Sequence, residues 1–234
     1  MTFNCGNNNL YLLKSRDRRK YVVPRNLIDI LHFNEKNELK TIGQTNDMFD
    51  AATSISFDWT TKLLYFSEHR YRKSSIKVTD ETFDYRKYII FPQEELTIEA
   101  IEVYPKRGEL FFLSGNTIWY TSNSPGSTAT LLFSTTDYRG WLTEFSIDYA
   151  TDILYWIAVS GRDYILHCVN IENTGRPFNK ADITKIRRIE VVEESAFNLV
   201  AFNNELYWLA YVGGLPTAEL TAEKEKGKRY DSKQ

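Results

Sequence analysis

The sequence predicts an all-β protein, a β-propeller of four-stranded antiparallel blades with about four to five blades present. Three observations predict it. A fourteen-residue frame occurs three times and once more in shortened form. The copies stand at a spacing that belongs to blade-sized repeats. The segments between them read as further strands, so that each period holds four.

The frame reads ISFDWTTKLLYFSE at 55–68, IEVYPKRGELFFLS at 101–114 and FSIDYATDILYWIA at 145–158, with LVAFNNELYWLA at 199–210 as the short copy. The second aromatics of the aligned pairs, Phe66, Phe112, Trp156 and Trp208, lie 46, 44 and 52 residues apart. Helical arrays share that period, and residue types decide between the two. Each frame is a β-branched and aromatic run, a short polar turn and another such run, which is a hairpin. Its turns fall at 59–62, 105–108, 149–152 and 202–205. SSIKVTD (74–80) and RKYIIF (86–91) supply two more strands after the first frame, NTIWYTS (116–122) and ATLLFS (129–134) after the second, DYILHCVNI (163–171) and KIRRIEVV (185–192) after the third. A 3.6-residue apolar period is not sustained over a helix-length window anywhere.

Before the first frame, LYLL (10–13), LIDILHF (27–33) and ELKTI (38–42) read as three strands, so the first blade lacks one. The last has only the hairpin of the short frame. The propeller is expected over 1–217, and the polar, Lys- and Glu-rich stretch 218–234 as a disordered tail. Unpaired blade edges invite association. The chain is therefore expected to be part of a longer one, or to close a smaller ring with strand 197–202 completing the first blade.

Composition narrows the function. The 234 residues carry 29 Lys+Arg against 31 Asp+Glu, a net charge of −2 that argues against nucleic acid as partner. With 42% hydrophobic and 15% aromatic residues there is ample surface for a core. No apolar run approaches the ~20 residues of a membrane span. Cys5 and Cys168 make no disulfide framework, and the strand context of Cys168 predicts a buried thiol. The N-terminus has no signal-peptide pattern and no Asn opens a glycosylation sequon. Taken alone, these absences favour an intracellular chain or a fragment.

The frames resemble the YWTD, or LDL-receptor class B, repeats of six-bladed β-propellers. In that family the first strand of a blade ends in Asp and the second carries Tyr-Trp-Thr-Asp. Asp58 and Asp148 match the first Asp, while Tyr104 and Phe202 replace it. Tyr65-Phe66-Ser67-Glu68 is the nearest copy of the tetrapeptide, and Phe111-Phe112, Tyr155-Trp156 and Tyr207-Trp208 keep only its aromatics. The resemblance covers about residues 54–210. It implies a divergent, incomplete member of a six-bladed ring and a receptor ectodomain of the LDL-receptor-related or Sevenless/Ros-like kind. Such a module would bind a protein ligand at the cell surface or outside the cell, contact the rest of a longer receptor chain, and catalyse nothing. The loss of the Thr-Asp pairs leaves open what locks neighbouring blades together. The alternative class is a calcium-dependent six-bladed hydrolase, in which Asp58, Asp148 and Glu68 would have to serve.

Catalytic motifs are missing. The sequence has no phosphate-binding loop, no H-E-x-x-H and no G-x-S-x-G, and His32, His69 and His167 lack metal-ligand spacing. No cofactor or metal site is expected. His69 is expected in a solvated loop, His167 as a structural residue of a strand, and RDRRK (16–20) as a solvated loop. Binding is expected on the connections between one blade's last strand and the next blade's first, at 44–53, 92–97, 135–142 and 193–196. The third reads TTDYRGWL and holds Tyr138, Arg139 and Trp141, types enriched at interface hot spots. Phe49 and the pair Glu94-Glu95 are expected to neighbour them.

Overall fold

The structure, a computed structural model, describes residues 2–4, 9–15, 26–34, 36, 38–45, 51–83, 86–93, 96–135, 141–160, 163–173, 178, 183–189, 196–202, 205–210 and 221–224. The chain divides into two compact units, 1–134 and 135–234.

The first unit holds three four-stranded antiparallel sheets, each in sequential order. The first comprises β1 (Thr2–Asn4), β2 (Asn9–Ser15), β3 (Asn26–Phe33) and β4 (Leu39–Gln44). The second comprises β5 (Ala52–Asp58), β6 (Leu63–Arg70), β7 (Lys73–Asp80) and β8 (Lys87–Gln93). The third comprises β9 (Ile98–Tyr104), β10 (Glu109–Ser114), β11 (Thr117–Ser122) and β12 (Thr130–Ser134). The second unit holds a four-stranded sheet of β13 (Trp141–Asp148), β14 (Ile153–Ser160), β15 (Asp163–Asn170) and β16 (Thr184–Ile189). Beside it is a three-stranded sheet of β17 (Ala196–Phe202), β18 (Glu205–Ala210) and β19 (Thr221–Lys224).

All four frames are hairpins in the expected places. Asp58 pairs with Leu63, Tyr104 with Glu109, Asp148 with Ile153 and Phe202 with Glu205. Two corrections concern the ends. The first sheet is complete, because β1 pairs Thr2 with Tyr11 and Asn4 with Asn9. Three residues with one apolar side chain are too short for a period-2 pattern, and β2 supplies the pairing that makes them a strand. Strand 197–202 therefore does not complete the first blade; it pairs with β18. Within the stretch expected as a tail, Thr221–Lys224 add to β18, Leu206 opposite Glu223. His69 lies in β6, not in a loop, with its ring Nδ1 2.9 Å from Ser74 Oγ.

The aromatic pairs explain the core. Adjacent residues on a strand point to opposite faces of the sheet. Phe66 packs with Tyr11, Ile28 and Phe57 between the first and second sheets, whereas Tyr65 packs with Val103, Leu110 and Phe112 between the second and third. Tyr155 likewise packs with Leu199 and Leu206 between the two sheets of the second unit. The Tyr65-Phe66 pair thus fills a core on either side of its own sheet, which is why β6 reads as an apolar run over Leu63–Phe66. Cys168, expected buried, is half-buried at the margin of the last core, because its face of β15 is covered only in part.

Hydroxyl groups along β5 fasten it to β9. Thr53 Oγ1 donates to the Ile98 carbonyl at 2.9 Å, Ser54 Oγ accepts from the Ile101 N–H at 3.1 Å, and Ser56 Oγ accepts from the Val103 N–H at 3.0 Å. In the second unit Ser146 Oγ accepts from the Ala201 N–H at 3.1 Å. Ser56 and Ser146 occupy the same frame position, as do Val103 and Ala201.

Candidate functional site

Within each sheet the antiparallel order sets which turns share an end. The β6–β7 turn lies at the end of the second sheet where β5 begins and β8 finishes, since Ala52 pairs with Glu68 and Ser74 with Gln93. The connections between blades open at that same end, where the sequence places binding. Their described ends are anchored. Thr45 donates its N–H to the Ile28 carbonyl and its Oγ1 accepts from the Ile28 N–H, each at 3.0 Å. Leu96 is buried in a core, and the Thr97 N–H donates to Ser114 Oγ at 3.0 Å. Fixed ends hold a connecting loop in register while leaving its tip available to a ligand.

Of the expected binding residues, Trp141 is described and Phe49, Tyr138 and Arg139 lie outside the described residues, as do Glu94-Glu95, the basic cluster 16–20 and Cys5. Trp141 opens β13 opposite Val159 and is 51% exposed. The next residue, Leu142, is buried at 4%. The alternation of β13 thus turns Leu142 to the core and leaves the indole at the surface.

The carboxylates that a hydrolase would need are engaged in structure. Asp58 Oδ1 accepts from the Thr60 N–H at 2.8 Å, the Thr60 hydroxyl at 2.6 Å and the Thr61 N–H at 3.2 Å, an Asx turn that closes its hairpin. Asp148 Oδ1 accepts from the Ala150 N–H at 3.0 Å in the same way. Glu68 is paired with Lys77 at 2.5 Å, and the ammonium of Lys77 stands 4.9 Å from the centre of the Tyr88 ring. The histidines are spread over separate sheets. His32 Nδ1 is 3.0 Å from Asn9 Oδ1, and His167 stacks on Trp156 with ring centres 5.6 Å apart. Among the described residues no three His, Cys, Asp or Glu side chains converge as a metal site. Tyr65, buried beneath the second blade, has its hydroxyl pushed up to about 12 by burial and then by the charge of Asp58.

One exposed aromatic was passed over in the sequence. Tyr71, 92% exposed, forms the β6–β7 turn with Arg72, and both have positive φ, 50° and 64°. Two-residue turns of this hand favour Asn-Gly, so a Tyr-Arg pair in that position was the available signal.

No family model matches the chain. It is similar to the vitellogenin receptor of Solenopsis invicta, 22% identical over 156 residues, which are 67% of this chain and 8% of that protein. Among solved structures it is similar to one in a nidogen/laminin complex, with a TM-score of 0.65 at 15% identity over 90% of this chain and 70% of that one. The Cps50 (Swd1) β-propeller domain of Myceliophteria thermophila gives a TM-score of 0.56 at 14% identity, over 95% of this chain and 70% of that one. The fold is a β-propeller of four-stranded antiparallel blades. Hydrazine synthase of Kuenenia stuttgartiensis also matches, with a TM-score of 0.55 at 12% identity over 93% of this chain and 57% of that one. At such identities these neighbours establish the propeller and not an activity. The chain spans a small part of its receptor relative, and among the described residues no helix is long and apolar enough to cross a membrane.

Proposed function

We propose that this propeller is a non-catalytic, protein-binding module of the YWTD kind in a secreted or cell-surface receptor-like protein. The similarity to a vitellogenin receptor over two thirds of the chain carries the reading. The exposed indole of Trp141, on a strand that opens from a blade-to-blade connection, supports a binding surface at that end. Tyr138 and Arg139, of the same connection as Trp141, belong to that proposed surface, and Phe49 is proposed to bind from its own connection at 44–53. Contacts with the rest of a longer receptor chain would use the same kind of loop.

The test is a binding screen of the immobilised chain against a panel of purified secreted and ectodomain proteins, with calcium-dependent turnover of lactones and esters assayed in parallel. A saturable protein ligand whose affinity falls on Trp141→Ala supports the reading. Calcium-dependent turnover, or no ligand in the panel, overturns it.

A further inference from the structure

On one face of the second sheet, Glu68 and Arg70 of β6, Lys73, Ser75 and Lys77 of β7, and Tyr88 of β8 line a cavity of about 360 Å³ together with Tyr71 at the turn. The register builds it, since Glu68 lies opposite Ser75, Arg70 opposite Lys73, and Lys77 opposite Tyr88. Of the four charged groups lining it, three are cations. The one anion, Glu68, is taken up by Lys77. Arg70 makes no ion pair among the described residues, nor does Arg72 beside it on the turn. Ser75, only 4% exposed, is among the lining residues, and among the described residues nothing hydrogen-bonds to its hydroxyl. Tyr71, at the turn, is 92% exposed. The cavity thus combines the guanidinium of Arg70, without an ion pair among the described residues, with a serine side chain in its lining and an exposed aromatic at the turn.

We propose that this tip and cavity bind an acidic segment of a protein partner. The guanidiniums of Arg70 and Arg72 would take its carboxylates, with Ser75 donating from the lining and the Tyr71 ring covering the backbone of the segment. This rests on the reading of the chain as a protein-binding module, and it names residues apart from Trp141. Guanidinium forks suit carboxylates, and a cavity of this size admits a few side chains, not a folded surface. Tyr and Arg in the left-handed region are a strained choice for a turn that Asn-Gly would make freely, which fits residues kept for contact.

Fluorescence anisotropy of a fluorescein-labelled hexaglutamate peptide with the full chain tests this. Saturable binding, weakened at least tenfold by R70E/R72E and by Y71N/R72G and unchanged by Lys36→Glu, supports it. The Y71N/R72G chain should melt no lower than the wild type, so its loss of binding cannot be put down to unfolding. Hexaglutamate binding that R70E/R72E leaves intact overturns the proposal, as does competition by free glutamate at the same concentration as by the peptide. Binding to phosphatidylserine vesicles without binding to hexaglutamate also overturns it. Loss of the Trp141-dependent ligand with hexaglutamate binding intact would count against the proposed function alone.

Discussion

The hydroxyl of Ser56 accepts a hydrogen bond from the backbone N–H of Val103 in the next blade, at 3.0 Å. Ser146 does the same for Ala201 at 3.1 Å. Both serines are buried, at 2% and 5% exposure. The four frames carry none of the Thr-Asp pairs of the repeats they resemble. In their place, a small hydroxyl on the first strand of one blade reaches the backbone of the next. Serine suits this because it is short enough to let two first strands approach and still brings an acceptor.

Removing that acceptor should be costly. Ser56→Ala and Ser146→Ala should each lower unfolding free energy by about 1–3 kcal/mol, the usual cost of stranding a buried N–H. The two sites share no partner, so the double variant should be additive within about 0.5 kcal/mol. Urea unfolding monitored by tryptophan fluorescence checks both statements. A loss below ~0.3 kcal/mol would show that the hydrogen bond does not fasten the blades.

The hairpin turns share a backbone device. Lys62, Gly108 and Asp152 stand at one frame position, and all have positive φ, 58°, 61° and 57°. Left-handed backbone costs a side-chain-bearing residue roughly 1–2 kcal/mol, offset by glycine's extra chain entropy of about 0.5–1 kcal/mol. Lys62→Gly should therefore stabilise by about 0.5–1 kcal/mol. Gly108→Ala should destabilise by about 1–2 kcal/mol, because its new Cβ would also sit 3.2 Å from Asn123 Oδ1. Thermal melts of the two variants, moving in opposite directions, are the check.

Alkali should weaken the first unit through Tyr65. Its hydroxyl titrates near 10.0 when unfolded and is raised to about 12 in the fold, first by burial and second by Asp58. The unfolded chain thus loses this proton first. The contribution is whole below pH 10 and is lost as pH rises towards 12, by up to about 1.4 kcal/mol per pH unit. Tyr65→Phe should flatten that part of the stability profile. Asp58→Asn should bring the hydroxyl down towards its ordinary value, read by tyrosinate absorbance. An unchanged titration in Asp58→Asn would remove Asp58 as a cause.

Trp141→Ala should lower affinity for a protein ligand found by screening by ~2 kcal/mol or more, with little change in thermal stability. The 51% exposure of Trp141 is why folding should tolerate the change. Calorimetric titration and a melt of the same preparation decide it. A variant that unfolds would show the indole to be a packing residue.

How far the sequence reached can be seen in particular residues. The frame at 55–68 revealed a hairpin because its apolar and turn residues are local signals, and β5 and β6 follow it closely. Thr2–Asn4 were not legible as a strand, nor was pairing visible at Thr221–Lys224, because both are too short and polar to carry a period and exist by virtue of the neighbour they pair with. Trp141 was singled out by residue type, and its exposure was decided by the fold. Tyr71 was not singled out, because its exposure depends on a turn whose hand only the backbone shows.

The sequence by itself determined the all-β class, the blade period, the hairpin turns and the aromatic core, since all of these rest on alternation and turn chemistry within about fifteen residues. Only the tertiary structure decided that Phe66 faces the first sheet and Tyr65 the third, that Ser56 meets Val103, and that Arg70, Ser75 and Tyr88 line one cavity. Those relationships join residues far apart in the chain. Their partners are chosen by how twisted sheets stack, and no local pattern encodes that choice.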